Sequence, residues 1–291
     1  MQVLDYIAAG SVHEVIGLLT ANNGKARVLS GGTDLIVQLR ENRRRAELLI
    51  DLKKIDELTS IRYDPQNGLR IGAAASCSAI CQNEAVIANF PGLVDGIRLI
   101  GGVQIQSRAS IGGNLCNASP AADSIPALIV HGARCLIVNN NGTHEIPVEQ
   151  FCVAPGRNIL RSGEFLLAVV VPVIPENFGA HYLRFIPRNE MDIAVVGAGA
   201  SVTLDQAKEK VVSARVALGA VAPTPLLVEE AGSFLAGKEI TTENIQEAAK
   251  IAQAAARPIS DLRGTAEHRK HLCAVLTRRA LEGAIERARV A

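Results

Sequence analysis

The residues best suited to chemistry are two glycine pairs, Ser30-Gly31-Gly32-Thr33-Asp34 and Ile111-Gly112-Gly113-Asn114. A glycine pair alone marks a tight turn, because glycine reaches left-handed backbone at no steric cost. The first pair lies between an apolar run ending at Leu29 and a helical pattern through Arg40. Amides at the start of a helix lack partners and stand at the positive end of its dipole, which suits them to phosphate oxygens. Thr33 adds a hydroxyl donor or caps the helix. The second pair, preceded by Ser110, runs on to Ser119-Pro120-Ala121-Ala122-Asp123 and a further helical pattern. Two such loops can close on one diphosphate from both sides. Asp123 either accepts hydrogen bonds from ribose hydroxyls or stabilises the first turn of its helix; Asn114 and Ser119 serve either a nucleotide or the turn backbone.

Other candidates are weaker. Gly197-Ala198-Gly199 follows a strand-like run but lacks the third glycine of a dinucleotide fingerprint, and Val202-Thr203-Leu204 continues as strand, so a Rossmann site is rejected. The six histidines form no metal spacing, and no Gly-x-Ser-x-Gly elbow is present. Cys77 and Cys81 share a helical face but have no second pair at ligand spacing, so they read as core thiols. Arg43-Arg44-Arg45 reads most simply as a solvated loop, with a partner subunit as the other option.

The elements that must carry these loops follow from periodicity. A helix near Val12 to Leu19, a strand ending at Leu29, the glycine turn and a helix through Arg40 make a strand–turn–helix unit. Leu48 to Leu52 and Leu69 to Ala73 read as strands, the second in a hairpin with Ile61-Arg62-Tyr63 through Pro65-Gln66-Asn67-Gly68. Helical patterns near Ser76 to Asn83 and Gly92 to Ile100 precede a stretch from Gly101 to Asn114 that fits neither period. Beyond a helix from Ala121 to Val130 come strands at Cys135 to Val138, His144 to Pro147 and Phe165 to Val171. Pro172, Pro175 and Asn177 mark a boundary, since proline lacks the amide a continuing sheet needs. His181 to Ile186, Ile193 to Leu204 and Val211 to Leu218 then suggest a three-stranded sheet, followed by helices near Asn244 to Ala256 and Thr265 to Arg289. The expected units are residues 1–55, 56–175 and 176–291.

Composition narrows the function classes. With 48% hydrophobic and 20% charged residues, the 291-residue chain reads as a multidomain globular protein with extensive burial or subunit contacts. A net charge of +1 leaves no excess to drive nucleic-acid or membrane-surface binding. No signal peptide or membrane-spanning run is seen, and the six scattered cysteines suit reduced thiols, so a cytoplasmic location is expected.

The run Ser107-Arg108-Ala109-Ser110-Ile111-Gly112-Gly113-Asn114-Leu115-Cys116-Asn117-Ala118-Ser119-Pro120-Ala121-Ala122-Asp123, with Leu29-Ser30-Gly31-Gly32-Thr33-Asp34-Leu35 upstream and Ile259 to Arg269 near the end, resembles the FAD-binding medium subunits of the molybdenum hydroxylases. That group includes aerobic carbon monoxide dehydrogenase and xanthine dehydrogenase. The resemblance covers nearly the whole chain and implies an α+β, PCMH-type FAD-binding fold: two α/β subdomains, and a C-terminal domain with a three-stranded antiparallel sheet and helices. By the same resemblance, Leu29 to Asp34 and Ser110 to Asn114 bind the diphosphate of FAD, and Ser119 and Asp123 lie near its adenosine end. Met191-Asp192-Ile193-Ala194 matches the strand that passes the isoalloxazine ring, with Ile193 where some relatives have an aromatic residue. The implied function is electron relay. A molybdenum-cofactor large subunit oxidises substrate, a 2Fe-2S small subunit carries electrons, and the flavin passes them to NAD, a quinone or oxygen, in a dimer of heterotrimers. The cofactor does the chemistry, so no catalytic side chain is assigned. Competing readings are a stand-alone FAD-dependent reductase or oxidase of the same fold, and a cofactor-free assembly protein.

Overall fold

The structure, a computed structural model, describes residues 4–189 and 191–291. The first 50 residues build a small parallel sheet whose strands Asp5–Ala8, Leu48–Asp51 and Ala26–Leu29 lie in that spatial order. Leu48–Asp51 is buried at every residue because it is the middle strand, covered on both faces. The connecting helix Val12–Ala21 starts at Ser11, whose hydroxyl accepts from the Glu14 amide while the Glu14 carboxylate accepts from Gly10 N, two donors satisfied reciprocally. The edge strand Asp5–Ala8 is not apparent from its mixed sequence.

Next comes a five-stranded antiparallel sheet in the order Ile61–Asp64, Gly68–Gly72, Phe165–Val171, Arg134–Asn139 and Gly142–Pro147. Its centre, Phe165–Val171, is apolar at every position. The two sheets share one hydrophobic core, which includes Leu48 and Ile50 from the first, Ile71 and Val169 from the second, and Val15 from the connecting helix. Helix Ser124–Val130, with all seven residues buried, separates this core from the C-terminal sheet. There Ser201 Oγ donates to Val130 O at 2.7 Å and Arg215 Nε to Ile129 O at 2.9 Å.

The C-terminal sheet is antiparallel, with the three expected long strands at Phe178–Phe185, Val196–Leu204 and Val211–Gly219 and a two-residue fourth at Leu226–Leu227. Helices Glu229–Leu235, Thr242–Ala255 and Ala266–Val290 complete it, and a second core fills the space between. Gly197 and Gly199 lie within the strand Val196–Leu204, as the rejection of a Rossmann loop requires. Gly197 is small for another reason, since a Cβ there would overlap the Tyr182 hydroxyl. The halves are also tied by charge: Asp95, 5% exposed, accepts from Arg287 on the last helix at 2.5 and 3.2 Å. No helix among the described residues is long and apolar enough to cross a membrane.

Candidate functional site: the cleft between the glycine loops

The glycine loops face each other across an open cleft of about 220 Å³. Its first wall is the loop at the carboxyl end of the parallel strand Ala26–Leu29, the position where open parallel sheets bind ligands. Each glycine of this loop has its own reason. Gly32 sits at φ +78°, which disfavours other residues, whereas Gly31 lies so close to the second loop that a Cβ would stand 2.7 Å from the carbonyl carbon of Arg108 and closer still to its oxygen.

Five consecutive amides, from Ser30 to Asp34, find no acceptor among the described residues. Successive open amides in a turn make a donor-lined surface that suits an anion with several oxygens. The loop is braced from behind. Ser30 Oγ donates to Ser110 Oγ at 2.7 Å, and Lys53 Nζ donates to Ser30 O at 3.0 Å and to Asp51 Oδ1 at 2.6 Å. Tyr6 OH donates to the other Asp51 oxygen at 2.5 Å. Burial pushes the Asp51 carboxyl up, but the hydrogen bonds from Lys53 and Tyr6 outweigh it and hold the carboxyl below its ordinary value. Burial raises Asp34 in the cleft wall, opposed by the charge of Arg43.

The second pair differs from expectation. Gly112 and Gly113 occupy the first turn of a helix, Ile111–Asn117, and another short helix, Val103–Gln106, interrupts the stretch read as irregular. Glycine is a poor helix former, but the Ser110 cap offsets its cost: Ser110 Oγ accepts from Gly113 N at 3.1 Å. Gly112 donates to Ala73 O at 3.0 Å, and a Cβ on it would stand 2.6 Å from the Ala73 Cβ. Asn114 N donates to Ser110 O. The amides of Gly112, Gly113 and Asn114 are therefore already engaged, and the open amide surface belongs to the first loop.

Ser30 to Asp34, Ser110, Gly112, Gly113 and Asn114 all line the cleft. Leu29 and Ile111 are buried beneath it as core residues. Ser119 Oγ accepts from Ala121 N at 3.3 Å within its own turn and does not line the cleft. Nor does Asp123, which is 7% exposed and accepts from Tyr182 OH at 2.8 Å and Arg184 Nη1 at 2.6 Å. Burial raises its carboxyl to about 6 against the pull of Arg184 and Tyr182. Each oxygen thus has one partner on the C-terminal sheet. Ile193 is half exposed and precedes the strand, which begins at Val196 rather than at Ile193. The neighbouring Met191 rests on Gly102, where a Cβ would stand 3.1 Å from Met191 Cγ.

Several cleft residues escaped the sequence reading. Arg27 and Arg44 line it, and Gln38 closes one side by donating to Asn117 Oδ1 at 2.9 Å. The available signal for Arg27 was a charge inside a four-residue strand directly before the glycine loop. Arg44 was hidden in a basic run whose other members are exposed. Cys77 is fully buried and Cys81 half-buried, and burial raises their thiols to about 12 and about 11, which keeps both protonated. No group of three or more metal-ligating side chains occurs among the described residues. The cleft is built to bind.

Comparison with known proteins agrees with this geometry. Residues 2–174 match the family described as FAD binding domain in molybdopterin dehydrogenase, and residues 181–284 match CO dehydrogenase flavoprotein C-terminal domain. The carbon monoxide dehydrogenase medium chain of Afipia carboxidovorans is 33% identical over 286 residues, 98% of each chain. The xanthine dehydrogenase FAD-binding subunit of Escherichia coli is 28% identical over 281 residues, 96% of this chain and 95% of that one. Among solved structures, a chain of the cyanide-inactivated Cu,Mo-CO dehydrogenase superposes with a TM-score of 0.92 at 31% identity over 98% of both chains. A chain of quinoline 2-oxidoreductase from Pseudomonas putida 86 does so with a TM-score of 0.90 at 26% identity, over 99% of this chain and 98% of that one.

Proposed function

Because the chain belongs to the family of FAD-binding subunits of molybdenum hydroxylases, we propose that its first glycine loop holds the FAD diphosphate and that the chain is the flavin relay of a multi-subunit enzyme. Its cofactor is FAD, and it is an oxidoreductase subunit. The observation that carries the diphosphate assignment is the run of five unpartnered amides at Ser30–Asp34. A diphosphate offers the several charged acceptors suited to such a run, and the open cleft continues past the loop to Asn158 and Leu160.

In this reading Thr33 adds a hydroxyl donor, Ser110 fixes the second loop against Ser30, and Asn114 lines the opposite wall. The segment Met191 to Ile193, packed along Gly102, flanks the isoalloxazine ring. When bound, FAD would supply the redox chemistry of a relay between the 2Fe-2S clusters of a small subunit and NAD, a quinone or oxygen. The protein's share is to bind, orient and keep the flavin from drifting; no side chain here acts as acid, base or nucleophile. The assembly is a cytoplasmic dimer of heterotrimers with a molybdenum-cofactor large subunit that selects the substrate. Support for the partnership comes from relatives that are medium chains or complex subunits, among them the 6-hydroxypseudooxynicotine dehydrogenase complex subunit alpha of Paenarthrobacter nicotinovorans, 29% identical over 285 residues.

Affinity purification from the native cell tests both halves. The expected product is yellow, releases FAD on denaturation and contains a molybdenum subunit and an iron–sulfur subunit. A colourless chain that stays flavin-free after incubation with FAD would sink the cleft assignment. An active single-chain flavoenzyme with neither metal partner would overturn the relay.

A further inference from the structure

A groove of about 890 Å³, within the range of small-molecule sites, opens where the two halves of the chain meet, and it shares no lining residue with the cleft between the glycine loops. One wall is the segment from Ile174 to Ala180 that leads into the C-terminal sheet. The last helix contributes Arg287 and Val290, and the first half contributes Tyr63, Asn89 and His131. The lining is aromatic as well as aliphatic. His131, 5% exposed, sets its ring 5.7 Å from that of Phe178 and 6.2 Å from that of Phe90.

The polar side chains of this groove turn their donors inward. Tyr63 OH donates to Asn89 Oδ1 at 3.4 Å, Asn89 Nδ2 to Ala85 O at 2.9 Å and Asn177 Nδ2 to Asp205 O at 3.3 Å. Arg287, the one Lys or Arg in the lining, directs Nη1 and Nη2 at Asp95 and Nη1 also at Ala180 O. His131 Nδ1 lies 2.7 Å from Ala127 O, which can only accept, so Nδ1 carries the proton. Burial lowers His131 to about 4, so the ring is neutral and its buried Nε2 is an acceptor without a partner. What faces a ligand is therefore of one kind. Asn177 Oδ1 accepts, and the exposed carboxylates of Glu176 and Glu286 form no ion pair among the described residues. A phosphate or carboxylate would meet like charge here, whereas a cation is drawn both to carboxylates and to aromatic faces.

We propose that this groove is a second ligand site, for an organic cation: an ammonium or similar N–H donor carried on an aromatic or apolar body. The body packs on Ile174, Phe178 and Val290, and the charged head faces Glu176 and Glu286. The site is independent of the flavin cleft, so FAD and the cation bind together.

The test titrates the full chain, without and with added FAD, with benzylammonium, benzyl alcohol and benzoate, read by calorimetry and ligand-observed NMR. Benzylammonium saturates the chain in both conditions, benzyl alcohol binds several-fold more weakly, and benzoate binds weakest. The double variant Glu176→Gln with Glu286→Gln weakens benzylammonium by about twofold to thirtyfold and leaves benzyl alcohol unchanged. Both positions are exposed, so its thermal melting stays near that of wild type. Four results overturn the site: saturation by none of the three probes, benzyl alcohol or benzoate binding as tightly as benzylammonium, unchanged benzylammonium affinity in the double variant, or displacement of benzylammonium by FAD, which would move the binding to the cleft.

Discussion

Replacing Gly31 with alanine isolates what the first loop does. The added Cβ would stand 2.7 Å from the carbonyl carbon of Arg108 and 3.1 Å from the Ala109 Cα, and would overlap the Arg108 oxygen. All of these are backbone atoms, so no side chain can swing away. The two loops must separate by roughly 1 Å, an overpacking strain of about 1–3 kcal/mol. Separation also breaks the Ser30–Ser110 hydroxyl bond of 2.7 Å, worth about 1 kcal/mol. Each amide carried away from a phosphate oxygen loses a charge-assisted hydrogen bond of about 1.5–3 kcal/mol, so one lost contact weakens FAD binding by about tenfold or more. The control is Gly24→Ala. Gly24 has φ +82° with nothing within 4 Å, and its alanine variant suffers backbone strain alone. Titration of the flavin-stripped chain with FAD, followed by flavin fluorescence, gives the affinity; circular dichroism on heating gives Tm. Both variants should melt earlier, and only Gly31→Ala should bind FAD more weakly. Wild-type affinity in Gly31→Ala, or an equal loss in Gly24→Ala, refutes the close-approach account.

Three further outcomes follow from the same geometry. Lys53→Met removes the ammonium from Asp51 and releases Ser30 O; the chain should lose about 1–2 kcal/mol in a urea titration and bind FAD several-fold more weakly, with Lys53→Arg recovering part of both. His131, 5% exposed, is lowered to about 4 by burial, so the unfolded chain takes up its proton first as pH falls. Stability present above pH 6.5 is lost between about 6.5 and 4, by up to about 3 kcal/mol, and denaturation of His131→Gln over that range should be correspondingly flatter. Asp123→Asn withdraws the charge paired with Arg184, whose side chain is 7% exposed, and should lower the unfolding midpoint clearly. A loss of flavin affinity in that variant without a loss of stability would return Asp123 to the nucleotide.

What could be read beforehand was local. The first glycine loop announces itself because the apolar run to Leu29, the turn and the helix that follows are contiguous in sequence. The long strands and the last two helices likewise carry their own periodicity. The second pair was misread because glycine propensity argues against helix, whereas a cap from Ser110 and close packing on Ala73 decide the matter. Asp123 looked free for a ligand because its partners Tyr182 and Arg184 arrive from another sheet about sixty residues later. Arg44 looked like one member of a solvated run, and only the fold brings Gly156 to it. In each case the missing information was a contact between distant segments, which propensity and spacing do not encode.

The Asp95–Arg287 pair bears on timing during synthesis. Asp95 is buried in the first half and meets Arg98 of its own segment at 3.7 Å, yet its two-armed partner Arg287 lies 192 residues downstream. At about 5–20 residues per second, the ribosome leaves roughly 10–40 s in which the nascent chain holds a completed Asp95 helix with Arg98 alone as its counter-charge. Over the same interval the strand carrying Tyr182 and Arg184 is late as well, so the flavin half can collapse while the face that meets the C-terminal domain is still open to water. The nascent chain thus passes through a stage in which its glycine loops exist before the C-terminal sheet does.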